Sequence, residues 1–338
     1  MSKIKRILIG FLAVATISTG LLGCQQKKDA KKTSLDGEIT LYTSQPEEDI
    51  QKLIQGFNKK QPGIKVKVFR SGTEEVVSKV LAEKASSSVQ ADVLFVSDAV
   101  TFQTLKNKDM LLTYKSPELK GINSQFIDKD NMFTGTKVIS TGIVINTNKV
   151  KTEPKSFNDL LEAEAKGNVI MPSPLYSGAS AYNLSVVTRT KGLGWNFYEG
   201  LKKNEVTVDK GNGGIIKAVA DGQKAYGIVV DYMAVRAAKQ GSPVKFIYPS
   251  EGVPVITEPI GILKTTKKAK LAQAFVDYVL SKDGQTSEAS MGYAPIKSDV
   301  KAPEGLKTIT ELKTISGDNE ELLNAREGDK KKFSSIFN

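Results

Sequence analysis

The stretch Ile39-Thr40-Leu41-Tyr42-Thr43-Ser44-Gln45-Pro46-Glu47-Glu48-Asp49-Ile50 reads as a strand, a hydroxyl-bearing turn and a helix start, and this unit recurs along the chain. Thr43 and Ser44 suit helix capping, Pro46 suits the first helical position, and three acids follow where the helix dipole favours them. Ile50, Leu53, Ile54 and Phe57 then fall at i, i+3, i+4 and i+7, which is one buried helix face. The same order returns where 66–69 leads through Arg70-Ser71-Gly72-Thr73 to a helix from Glu74. It returns again where 92–96 leads through Ser97-Asp98 to a helix from about Val100, and where 169–171 leads through 173–180 to a helix from about Ala181. Strands alternating with amphipathic helices predict an α/β chain whose mostly parallel sheet is covered on both faces. Each unit also aims free backbone N–H groups and hydroxyls at the top of the sheet, an arrangement suited to an anion.

Two stretches depart from this alternation. Residues 136–146 are apolar and β-branched around Gly142, and they are long for one strand. Residues 253–263 hold Pro254 and Pro259, which keep them out of helix. Both read as chain crossing between lobes. Two crossings more than a hundred residues apart predict two discontinuous lobes with a cleft between them. The expected boundaries are 38–137 plus 262–300 for lobe 1 and 138–261 for lobe 2. A helical tail over 301–338, of unassigned lobe, should have a helix near 306–312 and a frayed end. Between the crossings, 156–161 reads as a capped helix and 195–201 as an aromatic helix whose Trp195, Phe197 and Tyr198 suit the core. A glycine-rich turn over 210–214 precedes a helix over 215–221, and a buried strand over 226–230 ends at Asp231-Tyr232. Residues 292–296 read as a loop.

The amino terminus carries its own signal. Lys3, Lys5 and Arg6 form a positive region, 7–22 is apolar but short for a lasting span, and Leu21-Leu22-Gly23-Cys24 resembles a bacterial lipobox. Residues 1–24 therefore read as a lipoprotein signal peptide ending at a lipidated Cys24, which would anchor the chain rather than thread it through the membrane. Residues 25–37 are polar and lysine-rich, a flexible tether. Cys24 is the only cysteine, so no thiol is left for a disulfide or for catalysis.

Histidine is absent, which excludes Ser-His-Asp and Cys-His catalysis and histidine-ligated metals. The net charge of +11 falls to +8 without the three basic residues of the leader. Neither zinc-ligand spacing nor basic–aromatic interleaving accompanies it, so the lysines read as solvated faces rather than a nucleic-acid surface.

Taken together, these stretches resemble a family: the bacterial ABC-transporter solute-binding lipoproteins with the two-lobed type II periplasmic-binding-protein fold. The resemblance covers about 38–296. It is carried by Leu41-Tyr42-Thr43-Ser44-Gln45-Pro46, Phe69-Arg70-Ser71-Gly72-Thr73, Ala91-Asp92-Val93-Leu94-Phe95-Val96-Ser97-Asp98, Thr141-Gly142-Ile143-Val144-Ile145-Asn146 and Val253-Pro254-Val255-Ile256-Thr257-Glu258-Pro259. It implies a ligand cleft between discontinuous lobes, an ABC permease as partner, no catalysis and no cofactor, and a monomer outside the cytoplasm. Within that family the chain looks closest to a branch whose members bind ferric iron, hexose phosphates or aminoethylphosphonate. Ferric members carry an adjacent tyrosine pair where this chain has Asp231-Tyr232-Met233, so the second tyrosine is missing. A small phosphorylated or phosphonate solute is therefore the expected ligand, with ferric ion as the alternative. An extracytoplasmic carboxylate enzyme would need a close acid pair or metal cluster, and none is readable.

Thr43, Ser44, Ser71, Gly72, Thr73, Ser97, Ser177, Gly178 and Ser180 stand at helix starts and are the candidate oxyanion donors, plain capping being the alternative for each. Arg70 could add a two-pronged charged contact. Asp98, Asp231 and Glu258 each follow an apolar run and are candidates for the opposite, hydroxyl- or ammonium-bearing end of the solute. Asn212 and Gly213 could bring backbone to the ligand, and Tyr232 could wall the pocket.

Overall fold

The computed structural model describes residues 35–337. The leader, the Cys24 lipidation site and most of the tether lie outside the described residues. The strands are β1 (Gly37–Thr43), β2 (Ile64–Arg70), β3 (Val93–Phe95), β4 (Phe133–Asn146), β5 (Val169–Pro172), β6 (Thr207–Asp209), β7 (Tyr226–Val230), β8 (Val244–Ile247), β9 (Val253–Ile262), β10 (Ala294–Pro295) and β11 (Thr314–Ile315). The α-helices are α1 (Glu47–Lys60), α2 (Thr73–Ala85), α3 (Ala99–Asn107), α4 (Gly178–Val187), α5 (Gly194–Lys203), α6 (Asn212–Ala220), α7 (Asp231–Lys239), α8 (Ala269–Leu280), α9 (Lys282–Ser290) and α10 (Asn319–Phe337). Helix α1 shows why the local reading works. It opens on three acids, closes on Lys59 and Lys60, and buries Ile50, Leu53, Ile54 and Phe57 on one face.

Two sheets meet at strand β4. In the first, β2, β1 and β3 run parallel, and β9 joins antiparallel at the β3 edge. In the second, β6, β5 and β7 run parallel, and β4 joins antiparallel between β7 and β8. Strand β4 serves both: its first half pairs with β9 and β10, and its second half with β7 and β8. The two stretches read as crossings are β4 and β9: β4 pairs in both sheets, whereas β9 pairs with β3, β11 and the first half of β4, antiparallel to β4. Their ladder slips between Gly135 and Val138. A Cβ on Gly135 would stand 2.6 Å from that of Thr257, so glycine permits the close approach. The slip coincides with a fully buried Lys137.

Several local expectations need correction. Helix α6 begins at Asn212, because Gly211 is extended and caps it, so the glycine-rich turn is largely the helix's own first turn. The segment 156–161 is a 3-10 turn with a capping box between Ser156 and Asp159. The loop at 292–296 contributes β10 to the sheet. No helix forms at 306–312. Glu311 instead accepts hydrogen bonds from the Thr308 backbone N–H and hydroxyl, both at 2.7 Å, and the chain turns. The frayed end is instead α10, started by Asp318, whose carboxylate accepts from the backbone of Glu320 and Glu321 at 3.0 Å.

Candidate ligand cleft

The cavity of interest, about 280 Å³, opens where the loops of the two sheets meet over β4 and β9. Ile139 from β4 and Ile256 and Glu258 from β9 form part of its lining. Around them stand the starts of five helices: Pro46 before α1, Gly72 and Thr73 of α2, 177–179 of α4, 211–214 of α6, and Val230, Tyr232 and Met233 at α7. The first turn of a helix has backbone N–H groups without intrahelical partners and a partial positive charge. Five such ends bring unpaired N–H donors to one small cavity, chemistry suited to an oxyanion. Arg70, at the end of β2, adds a guanidinium to the lining, steadied by a 3.0 Å hydrogen bond from its Nε to the Gln45 carbonyl. Asp209 partly offsets the α6 end, since its carboxylate accepts from the Lys210 backbone and lies against Gly214.

The structure brings Ser44, Arg70, Gly72, Thr73, Ser97, Ser177, Gly178, Asn212, Gly213, Tyr232 and Glu258 to this one cavity. Five other sequence candidates do not line it. The Thr43 hydroxyl turns inward, donating to the Phe95 carbonyl at 2.7 Å and accepting from Gln45 N. The Ser71 hydroxyl is spent on Glu75, and that of Ser180 on the Pro172 carbonyl at 2.7 Å. Asp98 caps α3 through Thr101 N and is clamped by Arg326 at 2.8 Å. Asp231 is buried, accepting from Ser140 Oγ at 2.7 Å and from Tyr232 N at 2.8 Å. Each of these carboxylates and hydroxyls is taken by a protein partner.

Glu258 remains as the acidic wall, and a buried network holds it still. Ser44 Oγ and Gln45 Nε2 donate to its two oxygens, each at 3.3 Å. Lys137 Nζ lies 3.2 Å from it and 3.0 Å from Glu288. Lys137 also sits over the Tyr293 ring at 4.2 Å and the Phe95 ring at 4.7 Å. Burial pushes the Glu288 carboxyl up, against the pull of Lys137. Sequence reading missed Lys137, although a lysine inside an apolar crossing run was the available signal. It also left Lys210 out of the site. The Tyr176 ring is held at the cleft by Lys210, 4.4 Å from its centre.

The cleft is shut. Glu74 N donates to the Tyr176 carbonyl across it at 3.3 Å, and Lys210 pairs with Glu75 at 3.2 Å. A Cβ on Gly72 would lie 2.6 Å from the Tyr176 ring, and one on Gly178 2.8 Å from Thr73. Both glycines are where the two halves touch.

Comparison with known proteins decides the family. Residues 52–314 match the model of the bacterial extracellular solute-binding proteins. The chain belongs to that family, the solute-capturing components of ABC importers. A Fe(3+)-binding periplasmic protein of Serratia marcescens is 29% identical over 270 residues, covering 76% of this chain and 77% of the relative. A putative 2-aminoethylphosphonate-binding periplasmic protein of Salmonella typhimurium is 25% identical over 255 residues, covering 71% and 72%. Among solved structures, the periplasmic binding protein AfuA of Actinobacillus pleuropneumoniae, with fructose-6-phosphate bound, superposes with a TM-score of 0.82. At 22% identity over 89% of this chain and 98% of that one, it shows the shared two-lobed fold. As a member of the family, this chain binds a small solute and works with a membrane permease. Among the described residues no helix is long and apolar enough to cross a membrane.

Proposed function

We propose that the cleft captures a small organic phosphate or phosphonate. The observation that carries this reading is the convergence of five helix starts and Arg70 on one cavity, a donor-rich set with few carboxylates. The oxyanion would sit against 72–73, 177–179 and the α6 and α7 starts. The opposite end would face Glu258 and carry a hydroxyl or an ammonium. A volume of about 280 Å³ is at the lower edge of the roughly 300–1,000 Å³ usual for small-molecule sites, which favours a solute no larger than a sugar phosphate. Binding is by closure of lobe 1 (38–137 plus 262–300) on lobe 2 (138–261), with β4 and β9 as the hinge and no bond made or broken. The chain would act as a monomer, held to the outer face of the cell membrane through a lipid on Cys24.

Ferric ion is the second reading, favoured by Tyr176, Tyr232, Asp209 and Glu258 lining the same cavity, all hard oxygen ligands. Against it, the carboxylates among the lining residues are two, Asp209 and Glu258. Burial also pushes the Tyr232 phenol up, which opposes a tyrosinate. Mass spectrometry of solute released from the purified protein separates the two. A phosphorus-containing organic anion is expected. A coloured, citrate-labile complex that retains iron and no organic anion would overturn the phosphate reading.

A further inference from the structure

Helix α10 touches both halves of the molecule, and it does so with different chemistry on each. On the second-sheet side the contact is apolar. Phe333 is buried in the core around Leu184, Val187 and Tyr198, with its ring 6.1 Å from that of Tyr198, and it stacks on Phe337. Asp329 adds hydrogen bonds from Ser185 Oγ and Arg189, both at 2.7 Å. On the first-sheet side the strongest contacts are charged. Arg326 reaches Asp98 at 2.8 Å and Glu74 at 2.9 Å, and Lys330 reaches Glu74 at 2.9 Å. A single apolar junction joins the three parts, where Leu322 packs between Val100 of α3 and Val186 of α4.

The two acids that Arg326 holds are not arbitrary. Asp98 follows Ser97 and caps α3, and Glu74 follows Thr73 in the first turn of α2. Ser97 and Thr73 both line the cavity. Buried apolar contact persists when a hinge opens, whereas charged groups can return to water. Unpaired, the same two acids would place negative charge beside the oxyanion donors. Burial pushes the Glu74 carboxyl up, but Arg326 and Lys330 together hold it below its ordinary value.

We propose that α10 is a closure clasp. It travels with the second-sheet lobe on its Phe333 anchor, and its Arg326 is a positioning residue that grips the α2 and α3 starts only when the cleft shuts. The clasp therefore favours the closed form before any solute arrives, and it neutralises the acids that flank the donor loops. This requires that the lobes move and does not depend on which solute they enclose.

The test reads the distance between lobes in the full chain without added solute. With Cys24→Ser, spin labels go on Lys67→Cys in β2 and Lys217→Cys in α6, both exposed positions. Pulsed electron resonance should show a closed-distance population that Arg326→Gln reduces several-fold in the folded protein. Lys332→Gln, on the same helix but over Trp195, should leave the distribution alone. If Arg326→Gln fails to fold, Glu74→Gln serves instead, and a smaller shift in the same direction is expected. A parent with no closed population, or a folded variant with an unchanged distribution, overturns the clasp. Titration with inorganic phosphate forms a separate arm: failure of the parent to respond counts against the proposed ligand class and leaves the distance result standing.

Discussion

Arg236 on α7 and Asp49 on α1 form a two-pronged ion pair, with Nη1 and Nη2 donating to the two carboxylate oxygens at 3.1 and 3.0 Å. The pair ties a helix of the second-sheet half to one of the first. Tyr293 also donates to Asp49 at 2.6 Å, and the Tyr293 ring lies 4.3 Å from that of Tyr232 on the cavity wall. The pair therefore supports the cleft and crosses it at once.

Its two partners differ in exposure, and the difference predicts an asymmetric response. Asp49 is almost wholly buried, while Arg236 keeps over a quarter of its side chain in water. Arg236→Ala strands a buried carboxylate, for which about 3 kcal/mol of lost stability is expected. Asp49→Ala leaves a guanidinium that can rehydrate, so about half that loss is expected. Urea denaturation of the two single variants and the double variant gives a coupling near ~2 kcal/mol. Equal losses would show that both groups are equally desolvated.

Asp231 makes stability depend on pH. Burial pushes its carboxyl up from 3.8 to about 6, despite the hydrogen bonds from Ser140 and Tyr232 N. A raised folded-state value means the native chain binds the proton more tightly than the unfolded one. The favourable contribution is thus complete below pH 3.8 and is lost as pH rises through about 6. Asp231→Asn keeps an acceptor for Tyr232 N and removes the buried charge. Above pH 7 it should be more stable than the parent by up to about 3 kcal/mol, with the gain fading toward pH 4. Denaturation midpoints at pH 4.5 and 7.5 measure this directly. A gain that is the same at both pH values would count against titration of Asp231.

The fold was legible because its signals are local. Apolar periodicity gave α1, and the two crossings stood out because a run such as 136–146 is too long for one sheet, which is the physical situation of β4. The donor turns were legible for a related reason: a strand end followed by a capped helix start must lie at one edge of its sheet. What the sequence could not show was which polar group would be used up by a distant partner. Asp98 and Glu258 read alike, each after an apolar run, yet Arg326, 228 residues away, takes Asp98, while Glu258 stays on the cavity. The same limit hid α10, whose polar face makes sense only against two helices remote in the chain. Residues 210–214 were misread because glycines that usually break a helix here begin one.

Lys137 is the single positive charge between two buried acids, so its loss should be costly. Lys137→Met preserves much of the volume over Phe95 and Tyr293 but leaves Glu258 and Glu288 facing each other without a cation. A loss of about 3–5 kcal/mol is expected at neutral pH, the usual range for an orphaned buried charge. Adding Glu288→Gln to Lys137→Met removes one of the two acids and should restore about half of that loss. Thermal unfolding of the parent and the two variants checks both steps. A single variant as stable as the parent would mean the network carries no fixed charge.

Gly72 separates closure from folding. Its backbone, at φ −65° and ψ 155°, is ordinary for any residue, so Gly72→Ala should cost the open protein no more than about 0.5 kcal/mol. In the closed form the new methyl would stand 2.6 Å from the Tyr176 ring, nearer than packed carbon atoms approach. The ring must then leave its place between Gly72 and Lys210, or the cleft must stop short of shutting. Either way the loss falls on the bound state alone, and affinity for the released solute should drop about tenfold or more, equivalent to at least ~1.4 kcal/mol. Gly328→Ala, with open space around the added carbon on α10, should stabilise the helix and leave affinity unchanged. Isothermal titration of both variants, alongside their melting temperatures, reads the two effects apart. If Gly72→Ala binds as tightly as the parent, the contact between Gly72 and Tyr176 is not part of the solute-bound state.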